Sequence, residues 1–555
     1  MGLERAAQQE PPAPKQKGLQ IMSASSITRR DLVKAGGFVA AGAAGASAFG
    51  ASSAQAMVNS TIHELPSFFY APDPVADSDI VATHEYDIVV VGAGQAGNGA
   101  AVSALKNGAS VCVVEKMPQA NTQGLEGAAV DLANSDDAAV KYLVSRHIEQ
   151  NDFRPVREIV DTWAYRSAEA FECLREATSD GENPLVYDDG MAWDLEYPGT
   201  DMKAHVIYLI PSSGNYIAAG PAVADAIAAK GADYYYEMPA SQLVKDADGR
   251  VTGVVCTNAD GEYELFTANK GVILAAGDYQ NDPEMVGYFL PDVMNGLCRQ
   301  IGKTGDGIKM AMWAGGVIEP VGHTKMCHGY GNGPLGDEPF LRVNMKGERF
   351  SNEDMDLWLV QTLFRLDEAT DGYCQIFDSN YEEQIKSWDG GSTNGGWAEY
   401  DTASMNAYVV DDPEYAGRGK VYRADSIEEL AELLGISDTA ALASTVQRYN
   451  ELVAAGADTD FGKPVKYLQP IDTPPFYGIY RTQNLTAITS GIMTDGAQHV
   501  LDANAQPIPG LYAAGNNAGG FYGAVDYPLY DVEGISIGRS ITGGYVAAEN
   551  ICAGI

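Results

Sequence analysis

The stretch that decides the fold is Asp87-Ile-Val-Val-Val-Gly92-Ala-Gly94-Gln-Ala-Gly97-Asn-Gly, followed by Ala109-Ser-Val-Cys-Val-Val-Glu115. Its β-branched residues predict a buried strand, and the spacing of its glycines predicts a tight turn into a helix that packs closely on that strand. The amides at the start of such a helix bind phosphate. Glu115, at the end of the second strand, can accept both hydroxyls of a ribose and would repel a 2′-phosphate. The stretch therefore predicts an α/β unit that binds FAD or NAD, but not NADP.

The sequence ahead of this unit has the pattern of an export signal. The twin arginines of Ser26-Ile-Thr-Arg29-Arg30 precede a Gly/Ala-rich run and the tripeptide Ala54-Gln-Ala56. We interpret residues 1–56 as a twin-arginine signal peptide and residues 57–85 as a linker. A membrane anchor is the alternative, but the run is too rich in Gly, Ala and Ser. We expect export of the folded protein to the periplasm or the extracytoplasmic cell surface, with no stable membrane span after signal removal.

The charge balance narrows the classes of partner. The chain has 36 basic and 75 acidic residues, a net charge of −39. That excess argues against nucleic acid and anionic membrane surfaces as partners. A strongly hydrated surface explains it most simply, and docking of a basic redox partner is a weaker hypothesis.

The seven cysteines indicate how electrons reach the protein. They are scattered singly, without a CxxC or CxxCH motif. This pattern predicts no metal site, no iron–sulfur cluster and no covalent haem. We therefore expect electrons to come from an external donor, such as a cytochrome or a quinol-linked protein.

Downstream of Glu115, the predicted helices and strands depart from the nucleotide-binding fold, and later segments belong to that fold again. Helices are predicted over 136–150, 155–178 and 221–230, a strand pair over 241–256, a buried strand over 270–277, a helix after Thr304 and a last strand from Ile508 to Gly515. Between the returns, about 320–485, the composition changes to Gly, Asp, Asn and aromatic residues. There Ser426 is predicted to cap a helix that ends at Gly435, and Ser437 a second helix with the apolar face Leu442, Val446, Tyr449 and Val453.

Six segments, in order, carry a family resemblance. They are Gly92-x-Gly94-x-x-Gly97 with Glu115, Val272-Ile-Leu-Ala-Ala-Gly277-Asp-Tyr-Gln-Asn281, Thr304-Gly-Asp306-Gly-Ile, Asn344-Met-Lys-Gly-Glu-Arg349-Phe-Ser-Asn352-Glu353, Leu442-Ala-Ser-Thr-Val-Gln-Arg-Tyr449-Asn450 with Asp460-Phe-Gly462, and Gly510-Leu-Tyr-Ala-Ala-Gly515-Asn516. Together they resemble the fumarate reductase and 3-ketosteroid dehydrogenase group of FAD-dependent oxidoreductases. The resemblance implies a Rossmann-like FAD-binding domain of the glutathione-reductase type over 86–320 and 486–555, interrupted by an inserted α+β capping domain over 321–485.

The resemblance also implies the residues that bind FAD. The ADP half would lie on the first glycines and Glu115, and the isoalloxazine would be reached by the loop 121–127, by Gly515 and Asn516, and by amides near Gly534. The full set is Gly92, Gly94, Gln95, Ala96, Gly97, Glu115, Lys116, Thr122, Gln123, Gly124, Gly127, Ala240, Ala276, Gly277, Thr304, Gly305, Asp306, Gly515, Asn516, Gly534, Ser536 and Ile537. For Gly277, Gly305 and Gly515 a simple turn at the end of a strand is the alternative.

The departures from the family pattern concern the substrate. Where dicarboxylate-reducing members carry a proton-donating arginine, a clamp histidine and a clamp arginine, this sequence has Leu357, Ile488 and Asp526 or Tyr527. A dicarboxylate left without these cations would cost several kcal/mol per charge. The sequence therefore disfavours fumarate and succinate as substrates.

The ketosteroid branch matches the C-terminus better. Its Tyr-x-x-x-Gly element corresponds to Tyr530 and Gly534, whose hydroxyl and amide would by resemblance polarise a carbonyl oxygen. Four extra residues, which include Tyr527, reshape this pocket. His328 is placed near the family's remaining substrate-side histidine, and Arg349 belongs to the matched G-x-R-F segment. The predicted catalytic residues are thus Tyr530, Gly534, Tyr527, His328 and Arg349. His323, close to His328, could instead be a surface loop residue.

These observations predict an exported FAD enzyme. We expect it to reduce, or in reverse to desaturate, an activated carbon–carbon double bond of an apolar, carbonyl-bearing or aromatic substrate, through hydride transfer at flavin N5. A 3-ketosteroid dehydrogenase is the closest alternative. A fumarate-reductase-like flavoprotein subunit or electron carrier, and a plain NAD-binding protein, are the others.

Overall fold

A computed structural model describes residues 65–122, 124–215, 219–294, 296–298, 300–320, 322–327, 338–355, 361–388, 405, 409, 421–523 and 531–555. The predicted signal peptide thus lies outside the described residues. Within them, no helix is both long and apolar enough to cross a bilayer.

The described strands, in chain order, are β1 Ile80–Val91, β2 Val111–Val114, β3 Gly127–Val130, β4 Leu185–Tyr187, β5 Trp193–Glu196, β6 Lys203–Pro211, β7 Asp233–Tyr235, β8 Ala240–Lys245, β9 Val251–Thr257, β10 Tyr263–Leu274, β11 Leu297–Cys298, β12 Lys325–Cys327, β13 Leu341–Asn344, β14 Tyr373–Asp378, β15 Val421–Ala424, β16 Phe476–Arg481, β17 Asn484–Ile488, β18 His499–Leu501 and β19 Pro507–Ala513. The helices are α1 Gln95–Lys106, α2 Asp137–Gln150, α3 Arg157–Thr178, α4 Ala219–Ala228, α5 Pro283–Phe289, α6 Asp306–Trp313, α7 Tyr381–Lys386, α8 Ile427–Leu434, α9 Thr439–Ala455 and α10 Ile535–Ala553.

The core is one twisted sheet with the order β18-β19-β10-β1-β2-β7, extended by β9 and β8 beside β10. Strands β19, β10, β1, β2 and β7 pair in parallel. Ile88 to Val91 are buried in the middle of this sheet, as the β-branched run predicts. The predicted strand over 270–277 is part of a longer strand, β10, whose first half forms a hairpin with β9. The α/β nucleotide fold is therefore confirmed.

Two helices pack tightly where they cross behind this sheet. A Cβ on Gly544 of α10 would overlap the carbonyl oxygen of Ala96 in α1, and a Cβ on Gly99 of α1 would overlap that of Ile541. Such contacts require glycine because the backbones touch. Helix α10, near the end of the sequence, is thereby packed directly on helix α1 of the first nucleotide-binding unit.

A second sheet, which the sequence patterns did not predict, lies between α1 and α4 in the chain. Strands β3, β4 and β5 all pair antiparallel with β6. Helices α2 and α3 cover it, with Trp163, Val160 and Leu143 buried among the packed side chains. This sheet carries the loop 121–127 on its leading strand.

The inserted region forms the α+β unit that the family resemblance implies, and we call its described residues 338–481 the cap. Its antiparallel sheet has the order β13-β14-β16-β15, and helices α8 and α9 pack on one face. Ser426 caps α8 and left-handed Gly435 ends it, as predicted. The prediction that Ser437 caps α9 is wrong, because the Asp438 carboxylate accepts from the Ala441 amide while the Ser437 hydroxyl donates to Met345.

A small sheet connects the cap to the core. Strand β17 follows the cap and pairs with β11 in parallel and β12 antiparallel, so that core segments flank it on both sides. It brings Ile488 next to the ends of the core strands, where the functional groove lies.

Candidate functional site: an extended dinucleotide groove

Two adjoining clefts, with about 440 and 530 Å³ of empty space, form one groove along the carboxyl ends of β1, β2 and β10. Gly94, Asn121, Ala275 and Lys303 line both clefts, so they mark the middle of the groove. We call the part that contains Glu115 the nucleotide end and the part that contains Asn516 the flavin end. Open α/β sheets bind ligands at this edge.

Glu115 is fixed at the nucleotide end by backbone amides. Its carboxylate accepts from the Ala93 amide at 2.8 Å and from the Met117 amide at 2.9 Å. Each oxygen keeps a further lone pair for a hydroxyl donor. The side chain is therefore held with lone pairs free for the ribose hydroxyls that the sequence predicts it to bind.

Lys116 also lies at this end, where it joins two predicted site residues. Its ammonium contacts the Asp306 carboxylate at 2.7 Å and donates to the Thr304 hydroxyl at 2.6 Å, and that hydroxyl donates to Asp306. Ala240 and Ala276 line the same cleft with small side chains. The network closes one wall of the nucleotide end.

The glycines of the first turn have separate roles. Gly92 has a φ of +107°, and a Cβ there would lie 2.6 Å from the Ala275 carbonyl oxygen. A Cβ on Gly97 would overlap the Gly92 carbonyl oxygen, whereas one on Gly94 would meet nothing nearer than 3.8 Å. Gly92 and Gly97 thus allow close packing, and Gly94 leaves open space in front of the N-terminus of α1, where a pyrophosphate would bind.

Unsatisfied polar atoms mark the flavin end. The Thr122 hydroxyl is buried and has no hydrogen-bond partner among the described residues, and the same holds for the side-chain oxygen of Gln95. Buried polar groups are normally paired, so such atoms in a groove fit a polar ligand. Asn516, Ser536 and Ile537 complete this end, next to Gly277 and Gly515.

Arg539, which sequence analysis missed, organises the wall behind Asn516. It donates to the Gly515 carbonyl at 2.8 Å and to the Asn516 side-chain oxygen at 2.6 Å. Burial lowers its pKa, and it lies over the rings of Phe521 and Tyr522. In the sequence, Arg539 lies within the last helix, and no motif around it indicates that it would bind Gly515 and Asn516.

Asp278 is a buried carboxyl at the flavin end, and its position was quoted in a sequence motif without a role. It is 1 % exposed. One oxygen accepts from the Gln280 amide at 2.9 Å, and the other from the Ile488 amide at 3.2 Å and the Asn516 side-chain amide at 3.4 Å. Burial raises the pKa of this carboxyl.

His323 is not a surface loop residue but a buried one. Its Nε2 lies 2.9 Å from the Glu319 carbonyl oxygen, which can only accept, so Nδ1 accepts from the Tyr279 hydroxyl. The Phe289 ring stacks on the imidazole. Burial lowers the pKa of His323 to about 4. It is therefore a neutral histidine of the core.

Arg349, predicted as catalytic, is held in a buried ion network of the cap. Its guanidinium binds Glu353 at 2.8 Å and Asp458 at 2.7 Å, and its side chain is 6 % exposed. Lys463 contacts Glu353 at 3.5 Å and donates to the Tyr449 hydroxyl. Burial opposes ionisation of Asp458, but the hydrogen bonds from Arg349 lower its pKa. This arrangement favours a structural role for Arg349.

Other predicted residues lie beside the groove or outside the described part. Gly97, Gly124, Gly127, Gly305 and Gly534 do not line either cleft. Gly127 lies in β3 against Phe171, Gly305 precedes α6 with φ +72°, and Gly534 precedes α10 with φ +70°. Gln123, His328, Leu357, Asp526, Tyr527 and Tyr530 lie outside the described residues. No cluster of metal-ligating side chains is found in the described residues.

The fold and the groove define a dinucleotide-binding flavoprotein of the FAD type. The FAD binding domain family matches residues 87–528, and the chain belongs to that family. It is 27 % identical over 496 residues to a vinyl phenol reductase of Lactiplantibacillus plantarum, covering 84 % of this chain and 96 % of that protein. It is also 27 % identical to a fumarate reductase (cytochrome) of Shewanella frigidimarina, over 83 % and 76 % of the two chains.

Among solved structures, the open conformation of a flavocytochrome c3 fumarate reductase matches with a TM-score of 0.67 and 24 % identity, over 88 % of this chain and 83 % of that one. This match shows the shared fold. The chain is thus an FAD-dependent oxidoreductase of the class that acts on CH–CH groups, and the cofactor prediction is confirmed.

Proposed function

We propose that this enzyme reduces an activated carbon–carbon double bond of an apolar, carbonyl-bearing or aromatic substrate, or desaturates the corresponding single bond. Bound FAD supplies hydride transfer at its N5 position. The groove residues would hold the cofactor, with the ribose on Glu115 and the pyrophosphate before α1, while the substrate would lie between the flavin end and the cap.

The observation that carries the proposal is the contact of buried Ile488 with the buried carboxyl of Asp278 beside the flavin end. Ile488 stands where a dicarboxylate clamp would place a histidine, and it is fully buried. Its backbone amide donates to Asp278, a carboxyl that has no ion-pair partner within the described part of the chain. A second carboxylate brought to this place would be repelled and left unpaired. A neutral substrate meets no such penalty.

The groups proposed to activate the substrate come from the segment before α10. The Tyr530 hydroxyl and the Gly534 amide would donate to a carbonyl oxygen on which charge collects, and a tyrosine such as Tyr527 would manage the proton at the α carbon. His328 would line the substrate side. In support, Gly534 is left-handed and directly precedes α10, and Tyr530 stands four residues before it in the sequence.

A substrate screen tests the proposal. The holoenzyme is reduced under anaerobic conditions and mixed with enones, vinylphenols, cinnamates, unsaturated steroids and fumarate, and flavin reoxidation is followed near 450 nm, about where oxidised flavins absorb. We expect reoxidation by at least one neutral class, at least ~100-fold faster than by fumarate. Equal or faster reoxidation by fumarate contradicts the proposal.

A 3-ketosteroid dehydrogenase is the second candidate, favoured by the match of Tyr530 and Gly534 to that branch. Mixing the oxidised enzyme with a saturated ketosteroid distinguishes the two candidates. A ketosteroid dehydrogenase predicts that the steroid bleaches the flavin and that the other alkenes do not reoxidise the reduced enzyme.

An electron-carrier role predicts a different response to mutation. If the protein has no substrate pocket, Tyr530→Phe leaves activity with its partner unchanged. If it is an alkene reductase, we expect turnover to fall ~100-fold or more, as for loss of one oxyanion donor. Tyr70→Phe, at an exposed tyrosine, is the matched control and should leave turnover unchanged in both cases.

Two further parts of the proposal concern the setting of the enzyme. We propose twin-arginine export and an external electron donor such as a cytochrome or a quinol-linked protein. The motif at Arg29 and Arg30 supports the first, and the dispersed cysteines support the second. Fusion of residues 1–56 to a reporter should send it across the membrane, and Arg29→Lys with Arg30→Lys should retain it in the cytoplasm.

A further inference from the structure

Asp278 is a buried acid that the proposed reaction does not use. It follows the end of β10 and lines the flavin end of the groove together with Gly277 and Asn516. Its hydrogen-bond partners are neutral amides from three different segments. A carboxylate held in this way is oriented, but its charge is not compensated by a direct ion pair within the described residues.

The charged and titratable groups that face this carboxyl are few. Lys303 lines the same cleft and favours its ionised form. Arg539 of α10 acts on it through Asn516. Burial raises the pKa of the neighbouring Tyr279 hydroxyl and of the Cys298 thiol of β11, which keeps both neutral. Asp278 is therefore the group of this set whose charge state can respond to a new charge in the groove.

Reduction of the cofactor changes the electrostatic balance at this place. With FAD bound, two electrons would add two negative charges to the groove, and a single proton taken up by the cofactor would offset only one of them. Inside a protein a nearby like charge disfavours a carboxylate strongly. A buried carboxylate without a direct cation partner responds by taking up a proton.

We propose that Asp278 is a redox-linked proton carrier, which binds one proton at its carboxylate when electrons enter the bound FAD and releases it when they leave. Each two-electron reduction by an external reductant then consumes two protons, one with the cofactor and one that forms the O–H bond of Asp278. This inference rests on the cofactor and not on the proposed substrate, so it stands or falls separately from the substrate screen.

The midpoint potential of the holoenzyme tests the inference. A two-electron potential moves by about 30 mV for each tenfold change in the proton concentration when one proton is taken up, and by about 60 mV when two are. Spectroelectrochemical titration with dithionite and mediators, between about pH 5 and pH 9, should give a two-proton slope over part of the range for the wild-type chain. Asp278→Asn should give the one-proton slope there.

Control measurements keep the test decisive. Glu262→Gln removes an exposed carboxylate far from the groove and should keep the wild-type slope, and Asp278→Ser replaces Asp278→Asn if that variant does not retain FAD. Equal slopes in the wild type and the Asp278 variant overturn the inference, because the second proton would then bind elsewhere. Redox-difference infrared spectra of the wild type alone provide an independent measurement. A protonated carboxyl band should grow on reduction, and its absence overturns the inference whatever the variants do.

Discussion

The groove and the cap stabilise their polar groups in opposite ways. The groove relies on backbone: glycines allow main chains to touch, and Glu115 is held by two amides. The cap relies on buried charges, with Arg349 between Glu353 and Asp458 and with Lys463 close by. In the groove, the contact of Gly97 with Gly92 and the two amides that hold Glu115 join residues within one short stretch of sequence, although Gly92 also packs on distant Ala275. In the cap, Arg349 pairs with Glu353 four residues later and also with Asp458, 109 positions away. The first turn of the groove is therefore encoded locally, whereas the cap network needs a distant carboxylate.

The largest effect should come from breaking the glycine packing of the groove. Gly97→Ala places a Cβ on the Gly92 carbonyl oxygen, which neither backbone can avoid. We expect a destabilisation beyond the ~3 kcal/mol usual for overpacking, with loss of bound FAD, measured by chemical unfolding and by flavin absorbance. Gly94→Ala is the matched control, because its Cβ meets open space. It should fold normally and lose only FAD affinity, and a folded Gly97→Ala holoenzyme would contradict this reasoning.

Breaking the ion network should destabilise the cap strongly. Arg349→Leu leaves the buried Asp458 without this arginine and leaves Glu353 with Lys463 alone, and breaking a buried ion pair in this way costs about 3–5 kcal/mol. The free energy of unfolding from urea titration measures this loss. Arg448→Ala removes an arginine that pairs with Asp460 at the surface, and it should change stability little. A stable Arg349→Leu protein that has lost turnover would instead restore the catalytic role for Arg349.

The pH dependence of stability reports on the buried imidazole of His323 in the core. His323 has a folded-state pKa of about 4, below the ordinary value, so the unfolded chain binds its proton first as the pH falls. Its stabilisation is complete above about pH 6.5 and is lost toward pH 4, on the order of 3 kcal/mol in all. His323→Gln should flatten the unfolding free energy across that range. His205→Gln, at a partly exposed histidine, is the control, and an unchanged slope in His323→Gln would contradict the assignment.

The smallest effect should come from Glu115. Glu115→Gln keeps the size of the side chain but loses a charge-assisted acceptor, so FAD should bind about tenfold more weakly, a loss of about 1.4 kcal/mol. Fluorescence titration of the apoprotein with FAD measures the dissociation constant, with Glu262→Gln as the control. Unchanged affinity would mean that the carboxylate orients the turn and does not hold the ribose.

Features that depend on adjacent residues could be predicted from the sequence, and features that depend on distant residues could not. The strand, the glycine turn and Glu115 could be predicted because their geometry depends on a few adjacent residues. The helix that Ser426 begins was predictable for the same reason, since a cap and a left-handed glycine act locally. The error at Ser437 shows that such predictions can be wrong by one residue. Both Ser437 and Asp438 can cap a helix, and the Ser437 hydroxyl instead donates to the Met345 carbonyl of another segment.

Other features required the folded chain. The sheet of β3 to β6 was missed because three of its strands have only three or four residues and two long helices separate β3 from the rest. His323 could be taken for a loop residue because the residues that bury it, Tyr279 and Phe289, are more than thirty positions away in the sequence. Asp278 stood in a quoted motif, but its burial depends on β17, which arrives some two hundred residues later.

The sequence by itself determined the cofactor class, because the requirement of a pyrophosphate for glycine backbone and of a ribose for an acid is met within thirty residues of chain. It also predicts that the substrate side lacks the cations of the dicarboxylate-reducing members. The tertiary structure decided what the remaining charges do: it placed Arg349 in an ion network, buried His323 as a neutral ring, and brought Asp278 next to Ile488 and Asn516. Burial and pairing depend on distant segments, and these set the charge state of a side chain, so its role could be read only from the fold.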